Sequence, residues 1–293
     1  MRILDCKQIK EDMLTEAKIE LTKIFGETGK KTRLTVIQVE GDPASDVYIR
    51  NKQKAAEACN IEFEHIKLPS DITEENLRKV IKAANEDIMV TALMLQMPLP
   101  KHLKGKEQSL IDEIDWKKDV DGLTSTSIGK LWTNQECVHP ATAEGVMRLL
   151  NPNLSGASVL LINRSNLIGK PLTKLLENKN ATITLAHSKT DRNDLARMMK
   201  DVDIIITATG QPRWISRDDV VRQGAFTTYN VSTIIDCGMC RDENNKLCGD
   251  VNTNSFNEID CYITTTPGGT GLTTVAQLIL NVVKCYKLQK GEV

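Results

Sequence analysis

From Met89 to Leu95 the chain is apolar at nearly every position, without the polar alternation of a strand that keeps one face wet. Such a run suits a strand in a sheet covered on both faces. Val159–Ile162 reads the same way. Around these runs the chain alternates between strand and helix signals. Strands are expected at Leu34–Val39, Glu62–Leu68, Met89–Leu95, Val159–Ile162, Ala181–Ala186, Val202–Thr207 and Thr233–Asp236. Between them, Thr73 to Ala84 places Leu77, Val80 and Ile81 on one helical face. Further helices are expected after Ser45, around Glu144 to Leu150, from Pro171, and from Thr273 to Tyr286. Alternation of this kind points to an α/β fold with mostly parallel strands, in two units that meet near residue 140.

A length of 293 residues is enough for two ordinary domains. Charged residues make up 26% of the chain and nearly cancel, to a net −1, which disfavours nucleic acid as the main partner. Aromatics at 4% leave no base-stacking platform. No apolar run reaches bilayer length, and Met1–Cys6 meets an acidic residue at once, unlike a secretory leader. A cytoplasmic protein without a membrane partner is expected. The eight cysteines are then reduced. Cys237 and Cys240 form a C-x-x-C with Cys248 and Cys261 downstream, but only the first pair has ligand-like spacing, so no metal is expected.

Lys52 is the most informative charge. With Ser45 read as an N-cap, Tyr48, Lys52, Ala55 and Cys59 fall on one helical stripe, while Arg50, Lys54 and Glu57 mark the wet side. An ammonium on the inward stripe must snorkel or find a partner. Gln96 closes the strand before Met97-Pro98-Leu99-Pro100, either capping backbone groups or facing a ligand. Lys118-Asp119-Val120-Asp121-Gly122 reads locally as a turn. Asn163 to Pro171 joins a buried strand to a helix, where backbone N–H groups meet phosphates, though it lacks the G-x-G-x-x-G pattern. Thr209-Gly210-Gln211-Pro212 follows another strand's carboxyl end, and Thr266 to Gly271 is a glycine-rich turn before the last helix.

Taken in order, these segments resemble one family, the bifunctional methylenetetrahydrofolate dehydrogenase/methenyltetrahydrofolate cyclohydrolases of the FolD type. The resemblance runs from Gly41–Ser45, Tyr48 and Lys52, through Gln96 with Pro98–Pro100, Lys118–Gly122 and Arg164–Pro171, to Gly249-Asp250-Val251 and Pro267-Gly268-Gly269. It implies a catalytic set of Lys52, Gln96, Tyr48 and Asp121. Lys52 is the catalytic lysine, Gln96 its amide partner, Tyr48 the ring packed on the folate, and Asp121 the anchor of the pterin. Ser45, Met97, Pro267 and Gly268 complete the implied substrate contacts. Asn163, Arg164, Ser165, Ile168, Ser188, Thr209 and Gly210 are the implied cofactor contacts, with Arg164 and Ser188 placed for the 2′-phosphate of NADP. Residues 1–140 plus 272–293 are expected as an N-terminal α/β folate-binding domain and 141–271 as a Rossmann-type domain. The C-terminal helix returns to the first domain, and homodimerisation is implied.

Several positions depart from the family. Asn163 replaces the glycine that opens the phosphate loop, and its tolerance of positive φ is the expected remedy. Ala141 replaces a cysteine, Thr265 to Thr274 is rich in threonine, and Gln211-Pro212 with Thr227–Ser232 suggests a longer loop. A dehydrogenase without hydrolase activity, or a silent folate- or nucleotide-binding relative, therefore stays open at this level.

Overall fold

The computed structural model describes residues 1–222 and 229–292. The loop departure expected at Thr227–Ser232 thus begins outside the described residues. The chain opens with β1 (Arg2–Ile3), α1 (Cys6–Thr28), β2 (Arg33–Val39), α2 (Pro43–Ala58) and β3 (Glu62–Leu68). Next come α3 (Glu74–Glu86), β4 (Ala92–Leu95), α4 (Glu107–Ile111), α5 (Ser125–Trp132) and α6 (Ala141–Met147). The alternation continues with β5 (Ser158–Ile162), α7 (Gly169–Glu177), β6 (Thr182–Ala186), α8 (Arg192–Met199), β7 (Ile204–Thr207) and α9 (Arg217–Val220). It ends with β8 (Thr233–Asp236), β9 (Cys240–Arg241), β10 (Leu247–Cys248), β11 (Tyr262–Ile263) and α10 (Thr270–Lys290).

Two compact units result. One comprises residues 11–141 and 275–293 and holds the parallel sheet β3-β2-β4. Its central strand β2 is buried on both faces and mostly apolar, with buried Thr35 and Gln38 satisfied by Glu64 and Asp46, whereas edge strand β3 alternates. The last helix completes this core: Leu278, Ile279, Val282, Val283 and Leu288 pack with Leu34, Val36, Ala56 and Met94. Polar Asn281 on the same helix is buried because its amide donates to the carbonyls of Val120 (2.8 Å) and His139 (3.0 Å).

The other unit, residues 1–10 and 142–274, holds a six-stranded parallel sheet of order β1-β11-β8-β7-β5-β6. Residues 1–10, expected with the folate-type domain, pack with this unit. Arg2 N–H donates to the Cys261 carbonyl (2.8 Å) and Leu4 N–H to that of Ile263 (2.9 Å), so the N-terminus edges this sheet.

Two local expectations need correction. The strand expected from Met89 starts at Ala92, because Asp87 turns the chain by accepting from Met89 N–H (2.8 Å) and Val90 N–H (3.1 Å). Helix α2 begins at Pro43, so Ser45 sits inside its first turn rather than capping it. Its hydroxyl instead donates to the Asp42 carboxylate (2.9 Å). Among the described residues, no helix is long and apolar enough to cross a membrane.

Candidate active site and nucleotide groove

Helix α2 lies between β2 and β3 in sequence and buries Ile49, Ala55 and Ala56, with Cys59 buried just past its end. Tyr48 and Lys52, four residues apart, share a face and remain partly accessible. The Lys52 ammonium donates to Gln96 Oε1 (2.9 Å) and contacts Met94 Sδ (3.5 Å). Gln96 is held in place from both ends. Its backbone N–H donates to Ile37 (2.8 Å) and its side-chain amide to the Met97 carbonyl (2.6 Å), which also accepts from Ser45 (3.4 Å). Gln96 is thus a fixed acceptor at the carboxyl end of β4.

The two aspartates of the Asp119–Gly122 turn differ in their surroundings. Asp119 is fully buried and accepts from Leu123 N–H (3.2 Å), Thr124 N–H (2.8 Å) and the Ser127 hydroxyl (2.8 Å), so it shapes the turn and the start of α5. Gly122 has φ +65 and lies against the 138–140 backbone, where a Cβ would stand 2.7 Å from the Val138 carbonyl. Asp121 lies close enough to Lys52 for each charge to act on the other. Burial pushes the Lys52 pKa below the ordinary lysine value, and the Asp121 charge pulls it partly back. The same burial raises Asp121, opposed by Lys52. Neighbouring Lys118 has a structural role: its ammonium donates to the carbonyls of Asn85 (2.7 Å) and Asp87 (2.9 Å) at the end of α3.

Lys52, Gln96, Tyr48, Asp121, Ser45 and Met97 therefore belong to one unit. Pro267 and Gly268 belong to the six-stranded unit. There Pro267 follows a cis peptide bond, its carbonyl accepts from Thr265 (3.2 Å), and Gly268 has φ +95. The threonine-rich segment satisfies its own hydroxyls: Thr273 and Thr274 donate to the Thr270 carbonyl (3.0 and 2.9 Å), and Thr270 to that of Asp236 (3.3 Å).

In the six-stranded unit, a groove of about 540 Å³ crosses the carboxyl ends of β7, β5 and β6, where open parallel sheets bind ligands. Asn163, Arg164, Ser165, Ser188 and Thr209 line it. Asn163 does not adopt positive φ; its side chain replaces the missing glycine differently. Its oxygen accepts from Ser165 N–H (2.8 Å), Ser165 Oγ (2.7 Å) and Gly169 N–H (3.0 Å), and its amide donates to Ala208 (2.7 Å). The loop is thereby tied to the end of β7.

Ile168 and Gly210 are not among the lining residues. Ile168 is absorbed into the helix start: its N–H donates to Ser165 Oγ (3.1 Å) and its carbonyl accepts from Leu172 (2.9 Å). Gly210, at φ +70, turns the chain with open space beside its Cα. Gln211, noted from sequence in the 209–212 loop, lines the groove too, as do His187, Thr190, Arg192 and Trp214, which were not singled out. The signal available for them was their place just after strand ends.

Beneath the groove lie two buried aspartates. Asp250 accepts from Thr209 N–H (2.6 Å), Gln211 N–H (3.1 Å) and the Thr207 hydroxyl (2.6 Å), which holds the 209–211 loop. Asp236 accepts from Gly238, Asp250 and Val251 N–H groups at 2.8, 3.1 and 2.9 Å. Burial pushes its pKa up to about 6, those hydrogen bonds lower it, and the Asp250 charge raises it. Of the C-x-x-C cluster, Cys240 meets Cys248 across the β9–β10 pair with sulfurs 3.6 Å apart. No group of three His, Cys, Asp or Glu among the described residues is arranged for a metal ion.

The groove suits a phosphorylated dinucleotide. Two guanidiniums and several hydroxyls line it, with no carboxylate among its lining residues. A Cβ on Gly169 would stand 2.2 Å from the Asn163 carbonyl, so that residue lets strand end and helix start approach closely.

Comparison with known proteins agrees with this arrangement. Residues 4–121 match the catalytic domain of tetrahydrofolate dehydrogenase/cyclohydrolase, and residues 140–290 match its NAD(P)-binding domain. The bifunctional protein FolD of Listeria innocua is 38% identical over 97% of each chain. The bifunctional FolD structure from Campylobacter jejuni superposes with a TM-score of 0.89 at 33% identity, covering 99% of each chain. The Trypanosoma brucei dehydrogenase-cyclohydrolase, solved with NADP and an inhibitor, gives 0.88 at 28% identity over 99% of this chain and 98% of that one. The chain belongs to the tetrahydrofolate dehydrogenase/cyclohydrolase family.

Proposed function

We propose that the chain oxidises 5,10-methylenetetrahydrofolate with NADP and hydrolyses the resulting 5,10-methenyl cation to 10-formyltetrahydrofolate. The observation that carries this reading is the desolvated Lys52 ammonium on Gln96 Oε1, within reach of the Asp121 charge. In the groove, Arg164, Ser165 and Ser188 would hold NADP through side chains, since the N–H groups of Ser165, Ile168 and Gly169 are already committed to Asn163 Oδ1 and Ser165 Oγ. When bound, NADP supplies the hydride acceptor.

The hydride step asks the folate-type unit mainly for alignment. Tyr48 supplies a ring on the Lys52 face, and Asp121 an anionic anchor for the pterin. Hydrolysis asks for more. Water adds to the methenyl carbon and gives up a proton, ring opening returns a proton to the departing nitrogen, and one proton is released overall. Lys52 is suited to carry these protons, because burial brings its pKa toward working pH. A cationic substrate beside it acts in the same direction. Gln96 orients the lysine without adding charge.

Lys52→Met is expected to lower hydrolysis by about 10²–10⁴-fold while hydride transfer persists. Reduced cofactor and methenyl product, followed separately, should then show methenyl accumulating. Hydrolysis by the variant at the wild-type rate, above the spontaneous reaction, would remove Lys52 from this role. The reading extends, on family grounds alone, to a homodimer assembled through the nucleotide-binding domain and to a cytoplasmic location. Light scattering of the purified chain tests the first.

A further inference from the structure

Arg192 is the first residue of α8, and it lines the groove beyond the end of β6. Its guanidinium carbon lies 4.6 Å from the Trp214 ring centroid, a cation–π stack. Trp214 is itself fixed, since its indole N–H donates to Thr209 Oγ1 at 2.8 Å. The preceding Asp191 is committed to capping α8, accepting from Asn193 N–H (2.8 Å) and Asp194 N–H (3.3 Å). Among the described residues, Arg192 makes no ion pair, so its donors remain available.

The position matters because of what the neighbouring strand end lacks. In dinucleotide-binding sheets, a carboxylate near that strand end accepts the ribose 2′-hydroxyl of NAD, whereas an arginine nearby accommodates a 2′-phosphate. Here β6 leads into His187 and Ser188, and the groove lining holds no Asp or Glu. We propose that Arg192, held over the Trp214 ring, is a second guanidinium for the 2′-phosphate beside Arg164, and so a determinant of the choice of NADP over NAD. This rests on the NADP reading above. The stack removes much of the rotamer freedom that an exposed arginine would otherwise lose on binding. Trp214 is then a positioning residue that acts through Arg192.

Calorimetric titration of the full chain with adenosine 2′,5′-bisphosphate and with 5′-AMP tests this without turnover. The wild-type chain should prefer the bisphosphate. Arg192→Ala should lose about tenfold in affinity for the bisphosphate, as for one charged hydrogen-bonded contact, while 5′-AMP is bound as before and reports an intact groove. Arg192→Lys should recover only part of the loss, since an ammonium has no planar fork. Trp214→Leu should lose less than Arg192→Ala and again spare 5′-AMP. An unchanged bisphosphate preference in Arg192→Ala would overturn the role of Arg192 and leave the NADP reading standing. A wild-type chain that binds both probes equally would overturn the NADP reading itself.

Discussion

Gly169→Ala isolates the close approach on which the nucleotide groove depends. The added Cβ would stand 2.2 Å from the Asn163 oxygen, 2.5 Å from its carbonyl carbon and 2.8 Å from Arg164 N. All three are backbone atoms, and the Asn163 side chain pins that backbone through four further hydrogen bonds. Relief therefore requires the start of α7 or the 163–168 loop to move by about 1 Å, since carbon and oxygen repel steeply at this range. Overpacking of this kind costs about 1–3 kcal/mol, which lowers Tm on the order of 5 °C in a protein of this size. Because the displaced atoms line the groove, NADP affinity should fall about tenfold or more. Thermal unfolding and calorimetric NADP titration read the two effects separately. Gly129→Ala is the comparator: it lies in α5 with nothing within 4 Å of the added Cβ, and should gain about 0.5–1 kcal/mol. A Gly169→Ala chain with wild-type Tm and wild-type NADP affinity would refute the close-approach argument.

Asp236 predicts a pH dependence of stability. Its folded pKa of about 6 exceeds the ordinary 3.8, so its stabilising contribution is complete below 3.8 and lost as pH rises through 6. Relative to Asp236→Asn, which does not titrate, the wild-type chain should lose about 2 kcal/mol between pH 4 and 7; parallel unfolding profiles of the two chains would contradict this. Thr32 is 4% exposed and its hydroxyl has no partner, so Thr32→Val should raise Tm by the equivalent of about 1 kcal/mol. A fall in Tm would show that the hydroxyl is satisfied in solution.

The parallel α/β class was legible because buried strands such as β2 and β5 have no polar alternation to confuse with helix. Ends were harder to read. Asp87 and Asp42 redirect the chain through hydrogen bonds that propensity does not encode, which moved the starts of β4 and α2. Lys52 stood out from local spacing alone, as a charge on the wrong helical face. Its meeting with Gln96, 44 residues away, depends on α2 packing over the end of β4. The Arg192–Trp214 stack was not legible at all. Arg192 opens α8 and Trp214 lies in the loop after β7, brought together only because β6 and β7 flank β5. Asn163 shows a different limit: the substitution was visible, but the sequence suggested a backbone remedy where the structure uses a side chain.

The placement of the last helix has a consequence for how the protein is made. The first-unit core needs Leu278, Ile279, Val282 and Val283, yet these follow the whole of the six-stranded unit in the chain. At ordinary ribosomal rates, the time between Ala141 and α10 is on the order of ten seconds. Throughout that interval Leu34, Val36 and Ala56 lack the α10 side chains that pack on them, which leaves part of this core uncovered to chaperones or to another nascent chain. Slowing translation within residues 142–274 should therefore raise aggregation of wild-type chains far more than slowing it after residue 290. The folded enzyme retains no trace of that exposure.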